Sequence, residues 1–190
     1  MIYFLAIAVL LAASPARAWE PTPEVLTEIA AGRTWFDFKP QAQGAGLIRA
    51  GIENSVPPDV VFAVLADCEH ATRIAPHLAS CRVTERDPSG RWDIREQITR
   101  AGLLPSVRTV VRSDFQRPAS LKYRRVGGDL AVLEGEWRMI SIDGGRRTRV
   151  LYENRASSPY VVPGAIARLI LRREIGLALA ALTRECQSRL

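Results

Sequence analysis

The sequence has few of the residues that mark nucleotide enzymes and hydrolases. Its 190 residues contain no glycine-rich phosphate loop and no Gly-x-Ser-x-Gly nucleophile elbow. Only two histidines, His70 and His77, are available for general acid–base work. Both fall in short predicted helices at the rim of the fold, where a surface or capping role is expected for each rather than catalysis.

Lysine is also scarce, and the positive charge is not arranged as in a nucleic-acid-binding protein. The formal net charge is +6, almost all of it from arginine, since Lys39 and Lys122 are the only lysines. The arginines are scattered in runs no longer than two, without an aromatic ribonucleoprotein motif. We therefore expect no nucleic-acid partner. A weak attraction to an anionic membrane surface is expected instead.

No apolar run is long enough to span a bilayer comfortably. The longest, residues 2–13, has twelve residues, against the roughly 20 that a transmembrane helix needs. It is followed by the small-x-small pattern Ala16-Arg17-Ala18, which predicts a signal peptide over residues 1–18, cleaved after Ala18, and a periplasmic protein. Residues 1–3 lack the usual basic residue, so an uncleaved anchor and a start codon further downstream are alternatives.

The chain has three cysteines. In an oxidising compartment Cys68 and Cys81 can pair across twelve intervening residues, which leaves Cys186 free. The alternatives are unpaired thiols and a metal site, because Cys68-x-His70 and His77-x3-Cys81 have a loosely zinc-like spacing. That spacing matches no standard zinc finger, so the disulfide is favoured and neither a metal nor a cofactor is predicted.

One long helix is predicted near the end of the chain. Residues 163–186 begin with proline and continue for about six turns without another. Apolar residues occupy two sides of this helix. One side carries Ile166, Leu169, Ile170 and Leu177, and the other carries Leu171, Ile175, Ala178, Leu179, Leu182 and Cys186. A helix that is apolar on two sides contacts more than one surface.

Most of residues 34–156 read as strands, interrupted by two short helices within residues 57–76. Tight turn signals link the strands, for example Asp87-Pro88-Ser89-Gly90 and Asp143-Gly144-Gly145. Short connections join antiparallel neighbours, because parallel pairs need long crossovers. The prediction is an α+β fold in which a curved antiparallel sheet of six to seven strands wraps around the C-terminal helix. Residues 19–32 form an extension with a short helix, and residues 33–190 form the ligand-binding domain.

Several short segments, in this order, have the pattern of a known superfamily. They are Val56-Pro57-Pro58-Asp59-Val60-Val61-Phe62, Leu65-Ala66-Asp67, Arg82-Val83, Gly135-Glu136-Trp137, Thr148 with Tyr152, and Pro159 with Pro163. The chain resembles the START-like (SRPBCC) superfamily over residues 33–187, and its polyketide cyclase and coenzyme Q-binding branch in particular. The resemblance implies a helix-grip fold. It also implies a cavity between sheet and C-terminal helix for a hydrophobic ligand such as a lipid, sterol, quinone, polyketide or plant hormone.

The candidate ligand-binding residues depend on which strand faces line that cavity. If the apolar face of strand 91–100 does so, Trp92, Ile94 and Glu96 point at the ligand. Glu96 interrupts this face, and its alternative is an ion pair with an arginine such as Arg108. The aromatic residues offer an apolar surface with one polar tip each. The full candidate set is Trp92, Ile94, Glu96, Leu133, Trp137, Tyr152, Ile166 and Ile170.

The predicted function is a periplasmic carrier of a lipid, isoprenoid or quinone-like molecule, acting without covalent chemistry. One alternative is a cyclase or aromatase, for which Glu96, Tyr152 and Arg95 are the candidate catalytic groups. The other is an interaction module with a filled core, whose apolar helix stripe binds a protein. Transient membrane contact is expected from Leu103-Leu104 and Tyr160-Val161-Val162, beside the predicted cavity opening.

Overall fold

The computed structural model describes residues 18–102, 104–158, 160 and 162–190, which form eight strands and three α-helices. Most of the predicted signal peptide lies outside these ranges, so it stays a prediction. None of the described helices has the length and hydropathy needed to cross a bilayer. The elements are α1 (Pro23–Ala30), β1 (Trp35–Pro40), β2 (Ala45–Asn54), α2 (Pro58–Ala66), β3 (Leu78–Arg86), β4 (Trp92–Thr99), β5 (Val107–Gln116), β6 (Ser120–Gly128), β7 (Leu133–Ile142), β8 (Arg147–Ser157) and α3 (Gly164–Gln187).

All strands belong to one antiparallel sheet in the order β1-β2-β8-β7-β6-β5-β4-β3. Strands β3 to β8 are neighbours in sequence and in space, as their tight turns require. Between β2 and β3 lie the helix α2 and the three-residue 3-10 turn Ala71–Arg73. The predicted α+β helix-grip fold is therefore confirmed, and the described sheet has eight strands rather than the expected six to seven.

The core lies where the C-terminal half of α3 packs on the concave face of the sheet. Leu179, Leu182 and Cys186 of α3 are buried with Val150 of β8 and Ala50 of the neighbouring strand β2. The N-terminal half of α3 is much more exposed, and only its inner side chains reach the core cluster. The space between sheet and helix is thus filled at one end and less densely packed at the other.

The N-terminal extension packs on the opposite, convex face of the sheet. Ile29 of α1 is fully buried, and a Cβ placed on Gly51 of β2 would lie 2.5 Å from its Cδ1 atom. A side chain at position 51 would therefore force Ile29 to shift. Trp19 stacks on Trp35 of β1 with ring centroids 5.3 Å apart. This extension takes no part in the space between sheet and α3.

Residues 67–77, which we call the cover segment, connect α2 to β3 and lie beside α3. A disulfide between Cys68 and Cys81, with Cα atoms 5.4 Å apart, ties the segment to β3. Ion pairs tie it to α3 and to the residues that follow it, Asp67 with Arg189 at 2.8 Å and Arg73 with Glu185 at 3.5 Å, and His77 Nε2 lies 3.1 Å from Glu174 Oε2 of α3. The disulfide is the pairing favoured from the sequence, and it leaves Cys186 as a buried free thiol.

Candidate functional site

Two adjoining cavities lie between the concave face of the sheet, the cover segment and α3. The sheet cavity, of about 270 Å³, is lined mainly by side chains of β4 to β8. The helix cavity, of about 300 Å³, lies between the cover segment and α3. Leu65, Ile74, Ala75, Trp137 and Tyr152 line both cavities and form the wall between them. The described residues thus leave space beside the core cluster, whereas the interaction-module alternative requires a filled core.

The helix cavity is lined almost entirely by apolar side chains. Ile175, Ala178, Leu179 and Leu182 recur on one face of α3 at helical spacing, and the small side chain at position 178 leaves room beside them. The titratable residues in its lining are His77 and Glu174, whose Nε2 and Oε2 atoms lie 3.1 Å apart and whose side chains are partly exposed to solvent. Such a lining favours hydrocarbon over polar ligands.

The sheet cavity has a polar end built around two tyrosines. The Tyr123 hydroxyl donates to Asn154 Oδ1 at 3.0 Å and lies 3.3 Å from the Tyr152 hydroxyl. Burial raises the pKa of Tyr152 to about 12. Burial, followed by the proximity of Tyr152, raises the pKa of Tyr123 well above its ordinary value. Both phenols therefore stay neutral at physiological pH.

Arg95 is the only charged residue among the described residues that line the sheet cavity, and its charge is paired with that of Asp93. Its side chain is nearly fully buried, and its Nε and Nη2 atoms donate to the two Asp93 carboxylate oxygens at 2.7 and 2.9 Å. Nη2 also donates to the carbonyl of Ala66, the last residue of α2, at 2.7 Å. A buried charge needs such partners, and a cation suits a helix C-terminus. Arg95 thus anchors α2 to β4.

Three of the candidate ligand-binding residues line the cavities. Leu133 lines the sheet cavity, and Trp137 and Tyr152 line both. Their rings pack with centroids 4.2 Å apart. The structure thus brings these three together, and their contact with a ligand stays a prediction.

The expectation for β4 was wrong, because the strand presents its other face to the cavities. Arg95 and Gln97 line the sheet cavity, so Trp92, Ile94 and Glu96 lie on the convex face. The buried ion pair at the end of α2 fixes this orientation. On the convex face the Arg112 guanidinium covers Trp92, 4.3 Å from its ring centroid.

Glu96 makes ion pairs instead of facing a ligand. It lies 2.6 Å from Arg108 Nη2 and 3.1 Å from Arg82 Nη2, and the hydrogen bonds from these two guanidinium groups hold its pKa below the ordinary value. This is the ion-pair alternative considered from the sequence. Glu96 is thereby also removed as a catalytic group of a cyclase.

The expectation for α3 was also wrong in one respect. Ile166 and Ile170 are 52% and 50% exposed and lie on the outer side of the helix. The inward side at this end carries Ala167, Leu171 and Ile175, which contact the core cluster. Of the two apolar sides seen in the sequence, only the second one is turned to the sheet.

Sequence reasoning missed the polar residues of the sheet cavity: Gln97, Ser113, Tyr123 and Asn154. Asn154 follows Tyr152 by two positions, so strand alternation alone places them on one face. Tyr123 pairs with Gly135 across β6 and β7, and a Cβ at position 135 would lie 2.5 Å from its hydroxyl. That contact depends on strand register, which the sequence does not specify.

A family model described as "Polyketide cyclase / dehydrase and lipid transport" matches residues 55–183. No curated protein matches the chain. A STAR-related lipid transfer protein (fragment 25–204) from Xanthomonas axonopodis is 14% identical, with a TM-score of 0.62, and the match covers 80% of this chain and 98% of that one.

Two other solved structures illustrate the range of similar folds. A START superfamily protein from Mycobacterium smegmatis is 13% identical with a TM-score of 0.66, and the match covers 76% of this chain and 99% of that one. The Zhui aromatase/cyclase from Streptomyces sp. R1128 is 16% identical with a TM-score of 0.58, and coverage is 76% and 93%. At these identities the likeness shows the fold alone. The neighbours include lipid transfer proteins and aromatase/cyclases alike.

Proposed function

The chain belongs to the polyketide cyclase / dehydrase and lipid transport family, as its resemblance predicted, and from this premise we propose that it carries a hydrophobic small molecule. The cargo is a lipid, an isoprenoid or a quinone-like compound, held in the helix and sheet cavities without covalent chemistry. The observation that carries this proposal is the helix cavity, an apolar space of about 300 Å³ that no described side chain fills.

The size of the apolar lining supports binding by burial alone. Each methylene moved from water into such a site gains about 0.8 kcal/mol, so about ten methylenes provide roughly 8 kcal/mol before the costs of association. Micromolar affinity needs about 8 kcal/mol after those costs, so a ligand bound this tightly must bury more than ten methylenes. The protein needs no reactive group to hold such a cargo and release it.

The titratable groups around the cavities support carriage over catalysis. A general base works best with a pKa near the ambient pH, whereas burial raises the pKa of Tyr152 to about 12. Arg95 is held by Asp93. The cyclase alternative would therefore depend on His77 and Glu174 at the edge of the helix cavity, where His77 is 47% exposed.

The proposed compartment is the periplasm. The apolar run and Ala16-Arg17-Ala18 support export. The disulfide between Cys68 and Cys81 supports an oxidising compartment, since such bonds are rare in the cytosol. A carrier of insoluble molecules has a physical role there, because the periplasm separates two membranes with water.

The proposed cargo exchange takes place at a membrane surface, through the outer side of α3. Ile166, Leu169, Ile170 and Leu177, which we call the outer stripe, are 50–72% exposed. Residues 154–173 contain no Asp or Glu, and Arg168, Arg172 and Arg173 lie between the apolar residues. Apolar side chains flanked by arginines suit an anionic lipid surface.

The loops beside the outer stripe extend the proposed membrane surface. Leu104 and Val162 are exposed, and the Tyr160 hydroxyl donates to the Pro105 carbonyl at 3.1 Å, which joins their two loops. Leu103 and Val161, also expected at this surface, lie outside the described residues.

The experiment that tests the proposed function is native mass spectrometry of the protein purified from the periplasm, followed by organic extraction. We expect an N-terminus at Trp19 and a discrete adduct that releases a lipid or isoprenoid. A ligand-free mass that incubation with membrane lipid extract does not change would contradict carriage. An N-terminus at Met1 in the cytosolic fraction alone would contradict export.

A further inference from the structure

The polar end of the sheet cavity contains hydrogen-bond donors that the protein does not use. Asn154 is 7% exposed and accepts from Tyr123 through Oδ1, while its Nδ2 group has no partner among the described residues. Ser113 is 2% exposed, and within the same ranges its hydroxyl also has none. Both side chains line the cavity. Because both groups face the cavity, the acceptor of a bound ligand can take their hydrogen bonds.

Tyr152 adds a third donor. The Tyr123 hydroxyl has one proton, and its shorter contact, 3.0 Å, is with Asn154 Oδ1. Tyr123 is also the donor in its 3.3 Å contact with Tyr152, so no hydrogen bond of the described residues uses the O–H proton of Tyr152. The raised pKa of this phenol means that it remains a donor throughout the physiological pH range.

No charge in the sheet cavity is available to neutralise a charged ligand. Arg95 is shared between Asp93 and the Ala66 carbonyl. No aspartate or glutamate is among the described residues in the lining. An unpaired buried charge is strongly unfavourable, so a carboxylate, phosphate or ammonium group is a poor occupant.

We propose that the sheet cavity binds the neutral carbonyl end of the carried molecule, a ketone, quinone or ester oxygen that accepts hydrogen bonds from Asn154 and Tyr152. The hydrocarbon part of the same molecule lies in the helix cavity, beyond Trp137. This inference rests on the proposed function, since it names the class of cargo for the same site. It selects carbonyl-bearing lipids over fatty acids and phospholipid headgroups.

The test is a competition titration in which a fluorescent apolar dye is displaced from the purified protein. The competitors are a straight-chain methyl ketone, a carboxylate and a hydrocarbon of equal chain length. One or two neutral hydrogen bonds correspond to about a tenfold gain, so the ketone is expected to displace the dye at about one tenth of the concentration that either other probe needs. Tyr152→Phe and Asn154→Ala are expected to remove most of that advantage, which is read in each variant as the ratio of the ketone and hydrocarbon concentrations that displace the dye.

Glu96→Gln, on the convex face, is the matched control and is expected to bind all three probes as the unaltered protein does. Should Asn154→Ala fail to fold, Tyr152→Phe, which removes a single oxygen atom, decides alone. A ketone that binds no tighter than the hydrocarbon, or a carboxylate that binds tighter, would overturn this inference and leave the proposed function intact. A dye and probes that do not bind at all would overturn the proposed function itself.

Discussion

Trp137 and Tyr152 face each other across β7 and β8, with ring centroids 4.2 Å apart and ring planes at 31°. Both side chains line the sheet cavity and the helix cavity. An amphipathic ligand that uses both spaces therefore passes along this aromatic pair. The pair offers a rigid apolar surface, while the Tyr152 hydroxyl marks the start of the polar end.

Serine at two positions of the outer stripe is expected to weaken membrane binding. Replacing Ile166 and Ile170 removes two half-exposed apolar side chains, and the loss is roughly 1–2 kcal/mol for each one that inserts between lipids. Co-sedimentation with vesicles containing anionic lipid measures membrane binding. Binding of the unaltered protein is expected to weaken as salt rises, because salt screens the attraction between the arginines and the lipid. Val126→Ser on β6, where valine is also exposed, is the control. Equal sedimentation of the double variant and the control would rule out this surface.

Reduction of the disulfide is expected to loosen the cover segment. The loop between Cys68 and Cys81 is short, so its closure stabilises the fold by about 2–3 kcal/mol in the chain-entropy description. Urea unfolding with and without reductant measures this difference. Cys68→Ser combined with Cys81→Ser is expected to unfold like the reduced protein, and an unchanged unfolding midpoint would contradict the pairing.

Thiol labelling provides an independent count of the cysteines. Cys186 is fully buried, and burial raises its pKa to about 11, so the native protein is expected to take up no alkylating reagent at neutral pH. The denatured, unreduced protein should take up one label, and the reduced protein three. Three labels without reductant, read by mass spectrometry, would show that the disulfide does not form.

Two glycines, one in crowded and one in open surroundings, test the packing of β7 beside the sheet cavity and of α3. A Cβ at Gly135 would lie 2.5 Å from both the Tyr123 hydroxyl and the Glu153 carbonyl oxygen, so Gly135→Ala is expected to cost about 1–3 kcal/mol of unfolding free energy. Gly176 on α3 has open space around it, and Gly176→Ala is expected to gain about 0.5–1 kcal/mol from helix propensity. Thermal unfolding of the two variants measures both, and equal shifts would contradict this packing.

Asp67 gives the stability a dependence on pH. Burial alone would raise its pKa, but hydrogen bonds from Arg189 and His70 outweigh burial, and the pKa is lowered from 3.8. A group with a lowered folded-state pKa contributes stability above its unfolded value and loses it as the pH falls through the folded value. The free energy of unfolding, measured with urea, is therefore expected to fall between neutral pH and a pH below about 4. The fall is expected to be smaller in Asp67→Asn than in the unaltered protein. An equal difference in both proteins would show that Asp67 makes no contribution.

The order of elements could be predicted from the sequence, because turn signals such as Asp87-Pro88-Ser89-Gly90 and the proline before α3 are local. The lining of the site could be predicted only for β7 and β8, where the apolar face is also the buried one. On β4 the apolar residues Trp92 and Ile94 lie outside, since the ion pair of Asp93 and Arg95 is buried under α2. Which face of β4 is buried thus depends on the contact between Arg95 and Ala66, which are 29 residues apart in the chain. The periodicity of the strand does not detect such a contact.

Filling the helix cavity tests the central claim most directly. Ala178 lines that cavity, whereas its neighbour Leu177 is half exposed on the outer stripe, so Ala178→Trp and Leu177→Trp place the same side chain inside and outside. Titration with a fluorescent apolar dye, after circular dichroism has shown both variants folded, measures binding. The expected result is loss of dye binding in Ala178→Trp alone, because the indole occupies the ligand's space. Unchanged affinity in a folded Ala178→Trp protein would contradict a ligand between sheet and helix.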